Sequence, residues 1–600
     1  MKLGKIVSNN GFLLRQIAAA SPGRIPFQLA VVIIKSVSNF MFDVYMIRFV
    51  VNGIQTGEAF SRILIFILSI AAYHLCVCFI ENYFNEKYAP VSDQKIYRHI
   101  QKKLFKKAAE VELACFENPD FYDRYVKAVS EASGRASQTL DALSSIVRCV
   151  FTVTAVSLVI FTIDPFLIVF AVVPLVANLI FGKRLNKVRH TYNMEMQEKS
   201  RKRDYVRRAY YLADYAKEMR LSNINKALFV KFADSIEELK AVIRKHGFKI
   251  GMFNYILEAT NDIIVYLGAI LYASYQTLIT RNMLFGDCIV VINSINSVAY
   301  SLRGLVDTYL EFDDNALYID NLKFFLEYEP AIHANPDGLA PPNVCRFALR
   351  DMSFKYDGQE GYALKNISFE VNPGEKIAIV GHNGAGKTTL TKLLMRLYDP
   401  TEGEILLDGV NIRQYKLREY RELFGTAFQD CRVFSLSVTE NIILKDSITE
   451  ADRQLALASM KHSGIYEKIQ SLPKQENTIL TREFADDGAV LSGGEYQKVA
   501  IARVFAKPCE IVILDEPSSA LDPIAEYQMY EAMMQVCKDK SVVFISHRLS
   551  SAVLADRVYL LENGEIAEQG SHFELLQQNG RYAEMWEMQA EKYVSQEAAV

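Results

Sequence analysis

Gly381, Gly384, Gly386, Lys387, Thr388 and Thr389 stand at the spacing of a phosphate cradle within Lys376–Leu390, KIAIVGHNGAGKTTL. The run Ile377–Val380 is β-branched and small, which predicts a buried parallel strand breaking at Gly381. A helical pattern starts at the Lys387 end, so GxxxxGK[ST] has its strand–loop–helix setting. Glycines let consecutive backbone N–H groups turn inward around a phosphate chain, and the new helix points its positive end at the same anion. Lys387 adds a full charge near the β- and γ-phosphates, and the Thr388 hydroxyl can ligate Mg²⁺. These residues predict a site for a nucleoside triphosphate.

Two further stretches carry compatible chemistry. Glu510–Asp522, EIVILDEPSSALD, reads as a buried strand that delivers Asp515 and Glu516 at its carboxyl end, where ligands bind in parallel sheets. Asp515 suits Mg²⁺ through its water shell, and Glu516, one residue on, suits a general base polarising the attacking water. Leu491–Gln497, LSGGEYQ, opens a helix that continues to Arg503. Ser492 at its N-cap, followed by Gly493 and Gly494, makes a second anion-binding helix terminus. Two separate cradles in one chain make most sense if two chains face each other and share each nucleotide.

The elements that must position these residues occupy the second half of a 600-residue chain. Half of the residues are hydrophobic, as expected of a membrane half joined to a soluble half. A net charge of −3 argues against nucleic acid as a partner. The nine cysteines form no CxxC or Cys/His cluster, which argues against a bound metal cluster. No cleavable signal peptide is evident.

About six apolar stretches reach membrane-spanning length: Ile25–Val51, Phe60–Phe84, Leu140–Ile163, Pro165–Phe181, Phe253–Leu278 and Met283–Tyr309. Lysines and arginines crowd after the second stretch (Lys87 to Lys107) and after the fourth (Lys183 to Arg208). The other loops are brief and carry little positive charge. The positive-inside rule therefore puts the N-terminus and both basic segments in the cytoplasm. Those segments read as helices continuing out of the membrane, interrupted at Phe116–Arg124 and at Tyr211–Leu221. Pro330–Val344 has four prolines and reads as a linker, and α/β patterning begins near Phe347. The expected domains are 1–328, an all-α six-helix transmembrane domain, a linker 329–346, and 347–600, an α/β P-loop cassette.

Gly381–Thr389, Gln429, LSGGE, the LDEP run, SALD and Ser546-His547-Arg548 occur in the order of an ATP-binding cassette. With six stretches ahead of it, the chain resembles a bacterial half-size ABC transporter of the exporter fold. The resemblance implies ATP-driven transport by alternating access, with ATP and Mg²⁺ as ligands. It implies a second half-transporter, identical or homologous, as partner, with lipid and a transported substrate as the other neighbours. The implied location is the bacterial cell (inner) membrane with the cassette in the cytoplasm. Tyr356 resembles the aromatic that stacks on adenine, and Asn383 joins the nucleotide-binding positions of the loop. Gln429 resembles the residue linking Mg²⁺, water and the membrane domain, His547 the γ-phosphate contact, and Asp522 the acidic residue that signals across the dimer. Phe116–Arg124 and Tyr211–Leu221 resemble the two coupling helices.

One departure is Glu483–Val490, EFADDGAV, acidic where exporters often carry an arginine-containing segment. Glu483, Asp486 and Asp487 are candidates to pair with Arg124, Lys127, Lys217 and Arg220. No cysteine-peptidase domain precedes the first stretch, which argues against a leader-cleaving peptide exporter. Export of a peptide, lipid or drug-like molecule is the expected activity. An importer with this fold, or an ATP-gated channel, is the alternative. Glu258 and Asp262 lie four apart on one helical face and are candidates to favour cationic cargo, or else to pair with Lys35. Asp43 also lies within the first stretch.

Overall fold

The computed structural model describes residues 3–342, 346–429, 431–483, 485–516, 523–546 and 548–597. The chain divides into two compact units: Met1–Ala109 with Tyr122–Tyr328, and Glu110–Phe121 with Glu329–Val600.

The first unit is helical. Helix Leu3–Ala20 buries Ile6, Leu13 and Ile17, and its Asn9 and Asn10 side chains donate to the Ala316 and Phe312 carbonyls at 2.9 Å. Long helices follow over Arg24–Thr56 and Phe60–Glu110. Pro119–Ile163 comes next, then Ile168–Ala177 running on through a π turn into Lys183–Tyr211. Ile224–Ala259 continues through another π turn to Leu278, and Phe285–Glu327 ends the unit. Among the described residues, Arg24–Thr56, Phe60–Glu110, Gly134–Ile163 and Phe285–Glu327 are long and apolar enough to cross a membrane. The other two apolar stretches fall on helices that pass through π turns at Asn178–Gly182 and Thr260–Leu267.

Large apolar side chains point outward along these helices. Phe60, Ile65, Leu75 and Phe79 are more than half exposed on one helix, the condition of a surface solvated by hydrocarbon rather than water. Two ion pairs join ionisable groups inside the stretches. Lys35 meets Glu81 at 2.6 Å, and Arg48 meets Asp287 at 2.6 Å. Lys35 thus takes its partner from the second helix, which tells against the alternative in which Glu258 and Asp262 pair with it. Glu258 is exposed, and the Asp262 side chain lies outside the described residues.

The first interruption differs from expectation. The short helix is Leu113–Glu117, ahead of the proline, and Pro119 opens a 45-residue helix instead of a brief one. Pro119 lacks an N–H that an N-terminal turn would leave unpaired anyway. Asn118 Oδ1 accepts from the Asp120 and Phe121 backbone N–H groups at 3.0 and 3.2 Å, closing that turn. The second interruption is a 3₁₀ turn, Ala213–Tyr215, and helix Ala216–Leu221, within the expected range.

In the second unit, β1 (Phe347–Phe354), β2 (Leu364–Val371), β4 (Glu402–Leu407) and β5 (Val410–Asn411) form an antiparallel sheet ordered β2-β1-β4-β5. The larger sheet holds β3 (Lys376–Gly381), β6 (Phe424–Ala427), β7 (Ile511–Asp515), β8 (Ser541–Ile545), β9 (Arg557–Glu562) and β10 (Glu565–Gly570). Its order is β10-β9-β3-β8-β7-β6, parallel from β9 to β6, with β10 antiparallel on the edge. Every residue of β7 and β8 is buried, which is why Ile511–Leu514 and Val542–Ile545 read as unbroken apolar runs. Each aliphatic side chain so buried contributes about 1.5–3 kcal/mol before the entropy of ordering is counted.

Candidate active site

Parallel register sets the site. The strands β3, β6, β7 and β8 point the same way, so the chain leaving each one emerges at a single edge. Gly381 ends β3, Gln429 follows β6, Glu516 follows β7, and Ser546 follows β8. A cleft of about 630 Å³ opens at that edge, lined by Tyr356, Gln359, Ala363, Asn383, Gly384, Gly386, Lys387, Thr388, Thr389, Gln429 and Glu516.

The loop needs its glycines for space as well as conformation. At Gly381 (φ +146°) a Cβ would lie 2.2 Å from the Leu561 carbonyl oxygen. At Gly386 (φ +103°) it would meet Leu364 Cδ2 at 2.6 Å and the Ala363 oxygen at 2.8 Å. Gly386 is the N-cap of helix Lys387–Leu394, whose first N–H groups therefore face the cleft.

Lys387 is 5% exposed, and its ammonium donates to the Gly381 and His382 carbonyls at 3.0 and 3.1 Å. Burial pulls its pKa below the usual lysine range, while Glu516 and Asp515 push it back up. The lysine is thus held at the floor of the cradle by the loop it serves. Thr388 Oγ1 lies 3.4 Å from Asp515 Oδ1, and Asp515 is 3% exposed. Hydroxyl, carboxylate and the Gln429 amide supply hard oxygen donors to one side of the cleft, a set that fits Mg²⁺.

Glu516 has φ +50°, a left-handed conformation that costs a non-glycine residue about 1–2 kcal/mol. Such strain gathers at functional sites, where a side chain must be aimed against local preference. The Glu516 N–H donates to the Ile545 carbonyl at 3.2 Å, extending the β7–β8 ladder by one bond and fixing the bend. Tyr356 forms a wall, its hydroxyl 3.0 Å from Thr389 Oγ1 and its ring edge-on to Phe354 and Tyr398 at 4.8 and 5.4 Å. Gln359 and Ala363 also line the cleft and were not singled out from the sequence; a small residue and an amide on a loop carry no signal of their own.

Ser492 caps helix Gly493–Ala506 through a reciprocal box: its N–H donates to Glu495 Oε2 at 2.7 Å and its hydroxyl accepts from the Glu495 N–H at 3.4 Å. Ser492 and Gly493 are exposed, Gly494 half-buried, and none of the three lines the cleft. His547 and Asp522 lie outside the described residues. In the acidic segment Asp487 pairs with Lys474 inside the same unit, and the Arg482 guanidinium donates to the Gly488 carbonyl at 2.9 Å.

Residues 364–519 match the family described as ABC transporter. The cassette carries the ABC transporter domain, and the chain as a whole has the fold of an ABC exporter. It is 29% identical to the subtilin transport ATP-binding protein of Bacillus subtilis over 92% of this chain and 89% of that protein. It is 35% identical to the ATP-dependent lipid A-core flippase of Haemophilus influenzae, over 58% of this chain and 59% of the flippase. The nisin transport ATP-binding protein of Lactococcus lactis is 25% identical over 84% of each. Among solved structures, a bacterial Atm1-family ABC exporter with ATP bound has the same fold, with TM-score 0.75, 23% identity and coverage of 97% and 99%. The ABC transporter domain implies ATP binding, and the export relatives support hydrolysis coupled to transport.

Proposed function

We propose that each ATP is held between Gly381–Thr389 of one half-transporter and Ser492, Gly493 and Gly494 of the other. The exposed cap of the helix that starts at Gly493, standing outside its own chain's cleft, supports this reading. Closure of two cassettes on two ATP then drives the helical units from inward-facing to outward-facing, with the differential affinity of ATP for the closed state as the driving free energy.

Thr388, Asp515 and Gln429 would hold Mg²⁺. When bound, Mg²⁺ neutralises charge on the β- and γ-phosphate oxygens. Lys387 binds the same phosphates, Asn383, Gly384 and Gly386 present backbone N–H groups to them, and Tyr356 offers its face to the adenine. Glu516 takes the proton from the attacking water and resets the pair. His547 contacts the γ-phosphate and Asp522 signals to the partner by family resemblance.

The domains follow as 1–328, 329–346 and 347–600, with the segment around Glu110–Phe121 serving the cassette. Exposed apolar helix faces support lipid as the neighbour of the helical unit. The lysine and arginine bias supports a bacterial inner or cell membrane with the cassette in the cytoplasm. For cargo we favour a peptide: the relatives that align through both units carry subtilin and nisin in their names, whereas the flippase match spans little more than half of either chain.

One observation carries the mechanism: a strained Glu516 at the end of β7, in the same cleft as Lys387 and Thr388. Glu516→Gln is expected to lower ATPase activity about 10²–10⁴-fold while leaving ATP affinity within about twofold, because an amide cannot accept the proton. Steady-state turnover and equilibrium nucleotide binding on the purified protein check this. Near-normal turnover would remove Glu516 as the base.

A further inference from the structure

The short helix Leu113–Glu117 belongs to the cassette unit, although the chain on either side of Glu110–Phe121 belongs to the helical one. Leu113 and Ala114 pack against the cassette core, and Cys115 is buried. Glu117, the last residue of the helix, takes two donors on one carboxylate. The Lys392 ammonium reaches Oε1 at 2.9 Å, and the Tyr398 hydroxyl donates to Oε2. Burial alone would raise the Glu117 pKa, but these two bonds and the Lys392 charge together hold it below the usual range. Burial and Glu117 raise the Tyr398 phenol, so the carboxylate accepts and the phenol donates at neutral pH.

Both donors lead to the nucleotide cleft. Lys392 lies on the helix that starts in the phosphate loop, and its ammonium stands 6.0 Å from the centre of the Tyr356 ring and 5.7 Å from that of Tyr398. The Tyr398 ring meets Tyr356 edge-on at 5.4 Å, and Tyr356 is bonded to Thr389 in the loop. An exposed ion pair by itself is worth little. Here one carboxylate fixes two groups that stand beside the same ring, and the ring is a wall of the cleft.

We propose that Glu117 is a positioning residue for the nucleotide base: by fixing Tyr398 and Lys392 it sets the orientation of Tyr356. Nucleotide affinity then follows the position of the segment that joins helices Phe60–Glu110 and Pro119–Ile163. This rests on Tyr356 being the adenine platform.

The test measures KM and kcat for ATP and for GTP on the full-length protein in lipid nanodiscs, across Glu117→Ala, Glu117→Gln, Tyr398→Phe, Tyr356→Ala and the Glu117→Ala/Tyr356→Ala pair. Glu117→Ala is expected to raise the KM for ATP about three- to tenfold with kcat within about twofold, and to narrow the preference for ATP over GTP. Glu117→Gln, which keeps an acceptor oxygen, recovers part of the loss, and Tyr398→Phe reproduces part of it. Once Tyr356 is gone Glu117 has nothing to position, so the double variant is no worse than Tyr356→Ala. Unchanged KM in both Glu117→Ala and Tyr398→Phe, or effects of Glu117 and Tyr356 that multiply, would overturn the role of Glu117 while leaving the platform in place. Unchanged KM and base preference in Tyr356→Ala would instead remove the platform, and the proposal with it. If Glu117→Ala does not fold, Tyr398→Phe, which deletes one hydroxyl and keeps the ring, decides alone.

Discussion

Lys387 illustrates how a residue legible from spacing acquires its energetics only from its surroundings. GK[ST] after a strand names the lysine. The structure adds that its ammonium is nearly enclosed and bonded to two carbonyls of its own loop, so the cradle is pre-organised around a positive charge. Lys387→Ala removes the charge and leaves those carbonyls facing the cleft, which repels phosphate. ATP affinity is therefore expected to fall at least about tenfold, the scale of one lost charge-assisted contact, with a matching rise in KM. Equilibrium binding of a fluorescent ATP analogue checks this, and it separates Lys387 from Glu516, whose loss strikes turnover and spares binding.

At the scale of elements, the first two long helices are tied by Lys35 and Glu81 within stretches apolar enough to span a membrane. An ionisable group at such a depth is tolerated when it is paired or faces an aqueous cavity. Lys35→Met leaves Glu81 without its cation and is expected to destabilise the helix pair by about 2 kcal/mol. Lys35→Met with Glu81→Leu should recover most of that loss, since it removes the orphaned charge. Thermal unfolding of the detergent-solubilised protein distinguishes the two. A single variant as stable as the parent would mean that water reaches the pair. Apolar composition and length alone identified these helices, yet Glu81 was not singled out, because a carboxylate near a span end looks like any solvated residue until the neighbouring helix is placed beside it.

At the scale of the whole molecule, the prediction concerns composite sites. Ser492 caps a helix outside the cleft that holds Lys387 of the same chain. In a pair of copies, each nucleotide then draws Lys387 from one and Ser492 from the other. Co-expressing a Lys387→Ala copy with a Ser492→Arg copy puts both lesions into one site of the mixed pair and leaves the other site intact. Nucleotide trapping is therefore expected in the mixed pair and in neither parent alone. Trapping absent from the isolated mixed pair would show that the two cradles are not shared in this way.

The sequence by itself determined the chemistry and the order of parts. Strand, loop and helix around Lys387, the carboxylates after an apolar run at Ile511–Leu514, and the Ser492 cap are local patterns in which backbone geometry follows from a few neighbouring residue types. Tertiary structure alone decided which of these meet. The β3-β8-β7 order set Thr388 against Asp515, 127 residues away in sequence. Packing around the β7–β8 ladder aimed Glu516 through a backbone conformation that its side chain disfavours. The short helix fell before Pro119 rather than after it, because the chain could pack Leu113 and Ala114 against the cassette core and bury Cys115. That docking joined Glu117 to Lys392 across 275 residues. No periodicity or motif encodes such a contact, since its free energy comes from two surfaces that exist only once both are folded.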